Sequence, residues 1–310
     1  MSEPTYIIRN YRPGDLDKLI QLGAEVEKLR QTYYSTSMKE LVEGLGSPNH
    51  FPENNLFVGE IAGNIVGYVD VMPELNISRV VLNYLLHPEH RRKGLAKKLV
   101  ECAIHRARVL MVKIAHVNIP QDNAPAKRLF YRMGFRHIRR FLELRLDLPE
   151  AHLLKTHQNA SFLRHMRHGQ EGILLQIQNR SFANTWGFNP NTIEEIVYRT
   201  SLPNCSPEDI ILAFDADKPI GYCWTKIDPG EDKVISGGKG RIYMLGVNQD
   251  HQGKGVGRRV LLAGLSHLKN KGMRFVELTV DSENKPACAL YRSMGFDVWT
   301  NSLWYEKMLD

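Results

Sequence analysis

Along residues 161–310 the spacing of apolar and polar positions changes several times, and each change marks an element. Residues 161–167 read as a short strand. Over 170–182, Ile173, Leu174 and Ile177 recur at helical spacing. Pro190-Asn191-Thr192 introduces a second helix over 193–199, with Thr192 as N-cap and Glu195 at the capping-box position. Two apolar runs, 210–214 and 220–227, flank a polar turn at 215–219 and read as a hairpin. A strand at 241–247 leads through a glycine-rich turn at 253–257 into a helix with Val256, Val260, Leu261, Leu265 and Leu268 on one side. A strand at 275–280, a short helix at 286–294 closed by Gly295 and a final strand at 303–308 complete the series. Strands and helices alternate, but hairpins intervene, so an α/β chain with a mixed sheet is expected.

The chain repeats itself. HPEHRRKGLAKKLV begins at His87 and NQDHQGKGVGRRVL at Asn248, so Arg91 and Gln252 correspond at a spacing of 252 − 91 = 161. NAPAKRLFYRMGF from Asn123 and NKPACALYRSMGF from Asn284 keep that spacing, 284 − 123 = 161. Upstream, IVGYV around Gly67 matches PIGYC around Gly221 at 221 − 67 = 154. The segment from Ile8 resembles that from Leu163 at 163 − 8 = 155. The change in spacing places a longer loop in the second half, at 228–240. Two copies make a duplicated domain rather than a solenoid. With 141–146 as the last strand of the first half and a polar connector to about 159, the linear division is 1–148 and 158–310.

Composition narrows the chemistry. The net charge of +7 favours anionic ligands, but the basic residues are scattered and not interleaved with aromatics. Nucleic acid is therefore not an expected partner. No segment has the length and apolarity of a membrane span, and MSEPTYIIRNYRPGD lacks the pattern of a signal peptide, so a cytoplasmic protein is expected. Cys102, Cys205, Cys223 and Cys288 form no C-x-x-C pair and read as reduced structural thiols. His152, His157, His165 and His168 cluster in sequence without carboxylates or thiolates, so no metal site is expected.

The turn Gln252-Gly253-Lys254-Gly255-Val256-Gly257 joins a strand to an amphipathic helix. Glycines allow a sharp turn and close approach of a ligand. The helix start offers unpaired N–H groups and partial positive charge, suited to a pyrophosphate. Lys254, Arg258 and Arg259 add to that charge. The spacing is neither that of a P-loop nor that of a dinucleotide fingerprint.

Q-x-x-G-x-G at 252–257 and R-x-x-G-x-A at 91–96 resemble the acyl-CoA signature of the GNAT superfamily, and N-x-x-A-x-x-L-Y-x-x-x-G-F at 284–296 resembles that family's segment after the fifth strand. The resemblance covers nearly all of both halves. It implies two tandem GNAT domains, each a mixed, mostly antiparallel sheet flanked by helices and splayed between its fourth and fifth strands. It also implies acetyl-CoA as cosubstrate. In the second half Leu245, Gly246, Val247, Gln252, Gly253, Lys254, Gly255, Val256, Gly257, Arg258 and Asn284 would hold it. In the first half Leu86, Arg91, Arg92, Lys93, Gly94, Leu95, Ala96 and Asn123 would do so. NRSFANTWGF (179–188), YCWTKIDP (222–229) and MLGVNQDHQGKGVG (244–257) look most like mycothiol synthases and related two-domain enzymes, which acetylate the amine of a small cysteinyl-sugar.

Tyr291 stands at the family's general-acid position, where a phenol with reference pKa ~10 can donate to a leaving thiolate. The first half has Phe130 there, and Tyr131 beside it is turned by about 100° along a helix. The first half is thus expected to be catalytically degenerate. No carboxylate lies on 241–247, and Arg241 stands where the mycothiol synthases carry Glu. Glu231, Asp232, Glu277, Asp281 or a water chain are the candidate bases. Trp186, Phe188 and Trp224 are expected to border the acceptor cavity. The expected function is acetyl transfer to a primary amine of a small molecule, by a monomer with its two domains packed together. The alternatives are a protein N-terminal or lysine acetyltransferase and a non-catalytic acyl-CoA sensor.

Overall fold

A computed structural model describes residues 5–29, 38–148, 162–228 and 238–309. The chain forms two compact units. The first contains β1 (Ile7–Asn10), α1 (Leu16–Leu29), α2 (Met38–Leu45), α3 (Pro52–Asn55), β2 (Leu56–Ile61), β3 (Asn64–Glu74), β4 (Arg79–Leu86), α4 (Leu95–Val109), β5 (Ile114–Pro120) and α5 (Ala124–Arg132), followed by β6 (Arg136–Asp147). The second contains β7 (Leu163–His165), α6 (Glu171–Phe182), α7 (Ile193–Ser201), β8 (Ile210–Asp215), β9 (Lys218–Asp228), β10 (Lys239–Val247), α8 (Val256–Asn270), β11 (Phe275–Asp281) and α9 (Lys285–Ser293), followed by β12 (Asp297–Met308).

The units differ from the linear division in their last strands. Unit 1 is Met1–Arg139 with Ser302–Asp310, and unit 2 is Arg140–Asn301. The strand order is β1-β2-β3-β4-β5-β12 in unit 1 and β6-β11-β10-β9-β8-β7 in unit 2. Thus β12 runs antiparallel to β5, with Tyr305 opposite Val117, and β6 runs antiparallel to β11, with Glu143 opposite Thr279. Each unit is completed by the other copy's equivalent strand, as in an exchange of identical elements. The side chains explain why the swap is tolerated. Leu144 and Leu146 enter the unit 2 core beside Val276 and Leu278, whereas Leu303 and Tyr305 enter the unit 1 core beside Val117 and Ile119. Both strands present an alternating apolar face, so either fits either site.

Within each unit a single parallel pair, β4–β5 or β10–β11, interrupts an otherwise antiparallel sheet. Helices cover both faces. In unit 2, Val260, Leu261, Leu265 and Leu268 of α8 pack with Tyr291 of α9 on one face. Leu174, Ile177 and Ile196 of α6 and α7 pack over Leu212, Tyr222 and Trp224 on the other. The capping box at the start of α7 forms as expected. Thr192 Oγ1 accepts from the Glu195 N–H at 3.3 Å, and the Thr192 N–H donates to Glu195 at 3.0 Å. Among the described residues no helix is long and apolar enough to cross a membrane, and no group of His, Cys, Asp and Glu is arranged to hold a metal ion.

Candidate active site

The glycine-rich turn of unit 2 forms a cradle. Gly253 and Gly255 adopt φ of 73° and 81°, the left-handed region that favours glycine. A Cβ built on either would meet nothing within 4 Å, so both face open space. At the start of α8 the Arg259 N–H donates to the Gly255 carbonyl at 3.2 Å. The N–H groups of Val256, Gly257 and Arg258 come before it, as at any helix start. Lys254 and Arg258 are exposed beside the turn. Gln252 folds back to donate to the Val247 carbonyl at 3.2 Å, and Asn284 caps α9 by accepting from the Ala287 N–H at 3.2 Å. Leading N–H groups, exposed cations and open space beside two glycines are features that a pyrophosphate can use.

The adjoining sheet opens as a pantetheine arm would require. β10 pairs with β11 over Lys239–Phe275, Gly240–Val276 and Arg241–Glu277 only. Beyond Arg241 the two strands part. The β9–β10 register shifts between Ile242 and Met244. This bulge bends β10 and redirects its outer residues, Leu245 to Val247. Gly246 matters through its missing side chain, because a Cβ there would lie 2.6 Å from Tyr222 Cε1 and 2.7 Å from Ser181 Cβ.

Tyr291 enters from α9 and is only 6% exposed, in the same cluster as Cys223 and Cys288. Burial, reinforced by these two thiols, holds its hydroxyl protonated far above the ordinary phenol range. A group with that bias donates a proton readily only when negative charge develops beside it. Cys223 is itself fully buried, and burial pushes its thiol up to about 12. A thiol so placed is inert, in keeping with a structural role. All four cysteines are free thiols.

The opposite face of the sheet carries different residues. Leu142, Leu144 and Leu146 of β6 point toward α8 and α9, so Phe141, Glu143 and Arg145 point the other way. On β11 Val276, Leu278 and Val280 are in the core, leaving Glu277, Thr279 and Asp281 on that other face. Arg145 Nε donates to Glu277 at 2.8 Å, and Lys239 Nζ lies 3.7 Å from the same carboxylate. Glu277 is therefore committed to two cations. Asp281 accepts from the Glu283 N–H at 2.9 Å and holds the turn after β11.

The three expected acceptor aromatics have different places. Trp186 lies in the segment between α6 and α7, and its ring is 6.1 Å from that of Phe141 on β6. Because α6 packs on β9 and β10, this contact carries the segment across the β10–β11 gap. Phe188 packs on Phe182 at 5.8 Å. Trp224 is 0% exposed and meets Tyr243 edge-on at 5.1 Å. It is a core residue, because its strand position alternates with Cys223 and places it beneath α6 and α7. Glu231 and Asp232, together with His152 and His157, lie outside the described residues. His165 Nδ1 meets the Glu208 carbonyl at 2.6 Å.

Unit 1 keeps the glycine turn but has Phe130 where unit 2 has Tyr291. Gly94 has φ of 80°, and Arg92 takes φ of 61° where unit 2 has Gly253. Leu95 is buried, while Arg92 and Lys93 are exposed and Arg91 and Ala96 half-buried. Asn123 caps α5 through the Ala126 N–H at 3.2 Å. Phe130 is 0% exposed and packs on Phe135 and Tyr84. Tyr131 is 59% exposed with the Arg136 guanidinium 4.5 Å above its ring, so it faces away from the gap. Leu86 closes β4, opposite Gly67.

The family model described as acetyltransferase (GNAT) family matches residues 24–135 and 174–296. A mycothiol acetyltransferase of Thermomonospora curvata is 31% identical over 247 residues, covering 79% of this chain and 80% of that protein. One of Stackebrandtia nassauensis is 30% identical over 295 residues, covering 94% of each. Among solved structures, a GCN5-related N-acetyltransferase from Sphaerobacter thermophilus aligns with a TM-score of 0.74 at 21% identity, over 98% of this chain and 96% of that one. A tandem GNAT protein from the clavulanic acid biosynthesis pathway aligns with a TM-score of 0.73 at 16% identity, over 99% of both chains. The fold, the two glycine-rich cradles and these relatives agree: the chain belongs to the acetyltransferase (GNAT) family and is a tandem N-acetyltransferase.

Proposed function

We propose that the chain transfers an acetyl group from acetyl-CoA to a primary amine of a small molecule, and that unit 2 carries out the chemistry. The observation that carries this reading is Tyr291, a buried phenol in the unit whose fourth and fifth strands part beside the cradle. The equivalent residue of unit 1, Phe130, has no proton to give. Leu245, Gly246 and Val247 receive the pantetheine along β10, and the 252–257 turn holds the pyrophosphate. Unit 1 binds the same cosubstrate through 91–96 without turning it over efficiently. The segment bearing Trp186 and Phe188 roofs the acceptor side, and such a cover suits a small acceptor better than an extended peptide. The names of the Thermomonospora and Stackebrandtia relatives point the same way, since both are called mycothiol acetyltransferase.

The reading is tested by following free CoA thiol with amino sugars, amino alcohols, aralkylamines, amino acids and peptides. Saturable turnover with a small amine, and none with peptides, is expected. Turnover confined to peptides supports a protein acetyltransferase instead, and binding of acetyl-CoA without turnover of any amine supports a sensor.

A further inference from the structure

In unit 2 the open stretch of β10 meets α6 at Gly246. Leu245, Gly246 and Val247 lie beyond Arg241, where β10 and β11 have parted. A Cβ on Gly246 would lie 2.7 Å from Ser181 Cβ, 3.0 Å from Ser181 Oγ and 2.6 Å from Tyr222 Cε1. Ser181 comes from α6, and Tyr222 comes from β9, directly opposite Gly246. Tyr222 is 0% exposed, and its ring leans over β10, with the hydroxyl on the ring carbon next to Cε1. Ser181 Oγ and the Tyr222 hydroxyl are shielded from water, and neither has a hydrogen-bond partner among the described residues. Gln178, one turn earlier on α6, and Trp224, two residues along β9, also carry unpartnered buried polar atoms. Leaving buried hydroxyls unmet is costly, so this pair has hydrogen bonds to give to a ligand.

The first copy closes the same place with carbon. By the repeat spacings Val26, Tyr68 and Leu85 correspond to Ser181, Tyr222 and Gly246, at 181 − 26 = 155, 222 − 68 = 154 and 246 − 85 = 161. Tyr68 is paired with Leu85 as Tyr222 is with Gly246. Val26, Tyr68 and Leu85 are buried together in one apolar cluster. The second copy thus has a hydroxyl in place of a valine methyl pair, and no side chain in place of leucine, beside the strand stretch that the thioester would follow. Burial holds the Tyr222 hydroxyl protonated well above the ordinary phenol range. Its oxygen can therefore donate one hydrogen bond and accept another, as can that of Ser181.

We infer that Ser181 and Tyr222 receive the acceptor in unit 2, their hydroxyls hydrogen-bonding the attacking nitrogen beside the thioester. This rests on the reading of unit 2 as the acetyl-transferring unit. The nitrogen must come within about 3–3.5 Å of the carbonyl carbon to react. Two hydroxyls packed against Gly246 hold it at that range. The N–H groups of a free amine donate to the two oxygens, which leaves its lone pair facing the carbonyl carbon. Tyr291 packs with α8 on the other face of the sheet, so the acceptor and the acid approach from opposite sides.

The test uses the full chain and the panel amine with the highest kcat/KM. Tyr222→Phe and Ser181→Ala should each lower kcat/KM for that amine by about tenfold and leave acetyl-CoA affinity as it was. The thermal midpoint should equal or exceed that of wild type, because each change removes a hydroxyl with no partner in the fold. Every amine that the wild type acetylates should show the deficit, since the nitrogen is common to all. A deficit confined to hydroxylated amines overturns the assignment to the nitrogen. So does kcat/KM within about twofold of wild type in both variants. A fall in kcat/KM that comes with a lowered midpoint or weakened acetyl-CoA binding marks hydroxyls that serve the fold, and overturns it as well. If Tyr291→Phe is slow while both hydroxyl variants match wild type, only the acceptor assignment fails. If Tyr291→Phe is as fast as wild type, the reading of unit 2 fails and takes this inference with it.

Discussion

The two units share a fold and a cofactor turn, yet they spend their buried positions differently. At equivalent places on the third strand of each unit, unit 1 has Asp70 and unit 2 has Trp224. Asp70 is buried with His50, whose Nε2 lies 2.9 Å from the carboxylate. Trp224 is buried among Ile210, Leu212 and Tyr222. On the fourth strand unit 1 pairs through Leu82–Val117, four positions, with an unbroken register to β3. Unit 2 pairs with its neighbour at three positions and then bulges. At the acid position unit 1 fills its core with Phe130, and unit 2 places a phenol there. The lesson is that duplication preserves the backbone turn before the long helix, because this rests on glycine geometry and a helix start. The buried positions Asp70/Trp224 and Phe130/Tyr291 depend on single side chains and differ between the copies.

The largest expected effect on stability comes from the paired third-strand position. Trp224→Ala should cost about 3–5 kcal/mol, read as a lower denaturant midpoint of the chain, because a fully buried indole leaves a large cavity. A loss under 1 kcal/mol, with a raised acceptor KM, would return Trp224 to the acceptor cleft. Next, Gly255→Glu should weaken acetyl-CoA binding at the unit 2 site by about 10²-fold, since a carboxylate would face the diphosphate. Gly255→Ala serves as the control for strain at φ of 81°. Equal affinities for the two variants by calorimetry would show that the charge does not meet the ligand. The smallest effect belongs to unit 1. Arg92→Gly should raise stability by about 0.5–1 kcal/mol, because the arginine holds a left-handed conformation that glycine adopts without strain. A thermal midpoint lower than wild type would contradict this account of the turn.

Much of this was legible from residue spacing. The cradle declares itself because glycines at fixed intervals before an apolar helical stripe have few other uses, and the same pattern occurs twice. The helices, the hairpins and the α7 capping box follow from local chemistry. The strand exchange was not legible. Residues 141–147 and 303–308 alternate alike, and alternation says which face is apolar without saying which neighbour the strand joins. Trp224 fills the core, and in sequence an aromatic beside a family motif looks the same whether it lines a cleft or fills a core. Its alternation with Cys223, which faces α8, was the available signal.

The central claim is that proton delivery, and hence turnover, resides in the second unit. The most direct measurement is kcat for Tyr291→Phe beside Tyr131→Phe, with acetyl-CoA affinity measured in both. Tyr291→Phe should lower kcat by about 10²–10⁴, or roughly 3–5 kcal/mol of barrier, with little change in affinity, because the hydroxyl acts as charge develops on sulfur. Tyr131→Phe should leave kcat as it was. Loss of activity in Tyr131→Phe with full activity in Tyr291→Phe would place the chemistry in the first unit and contradict the account.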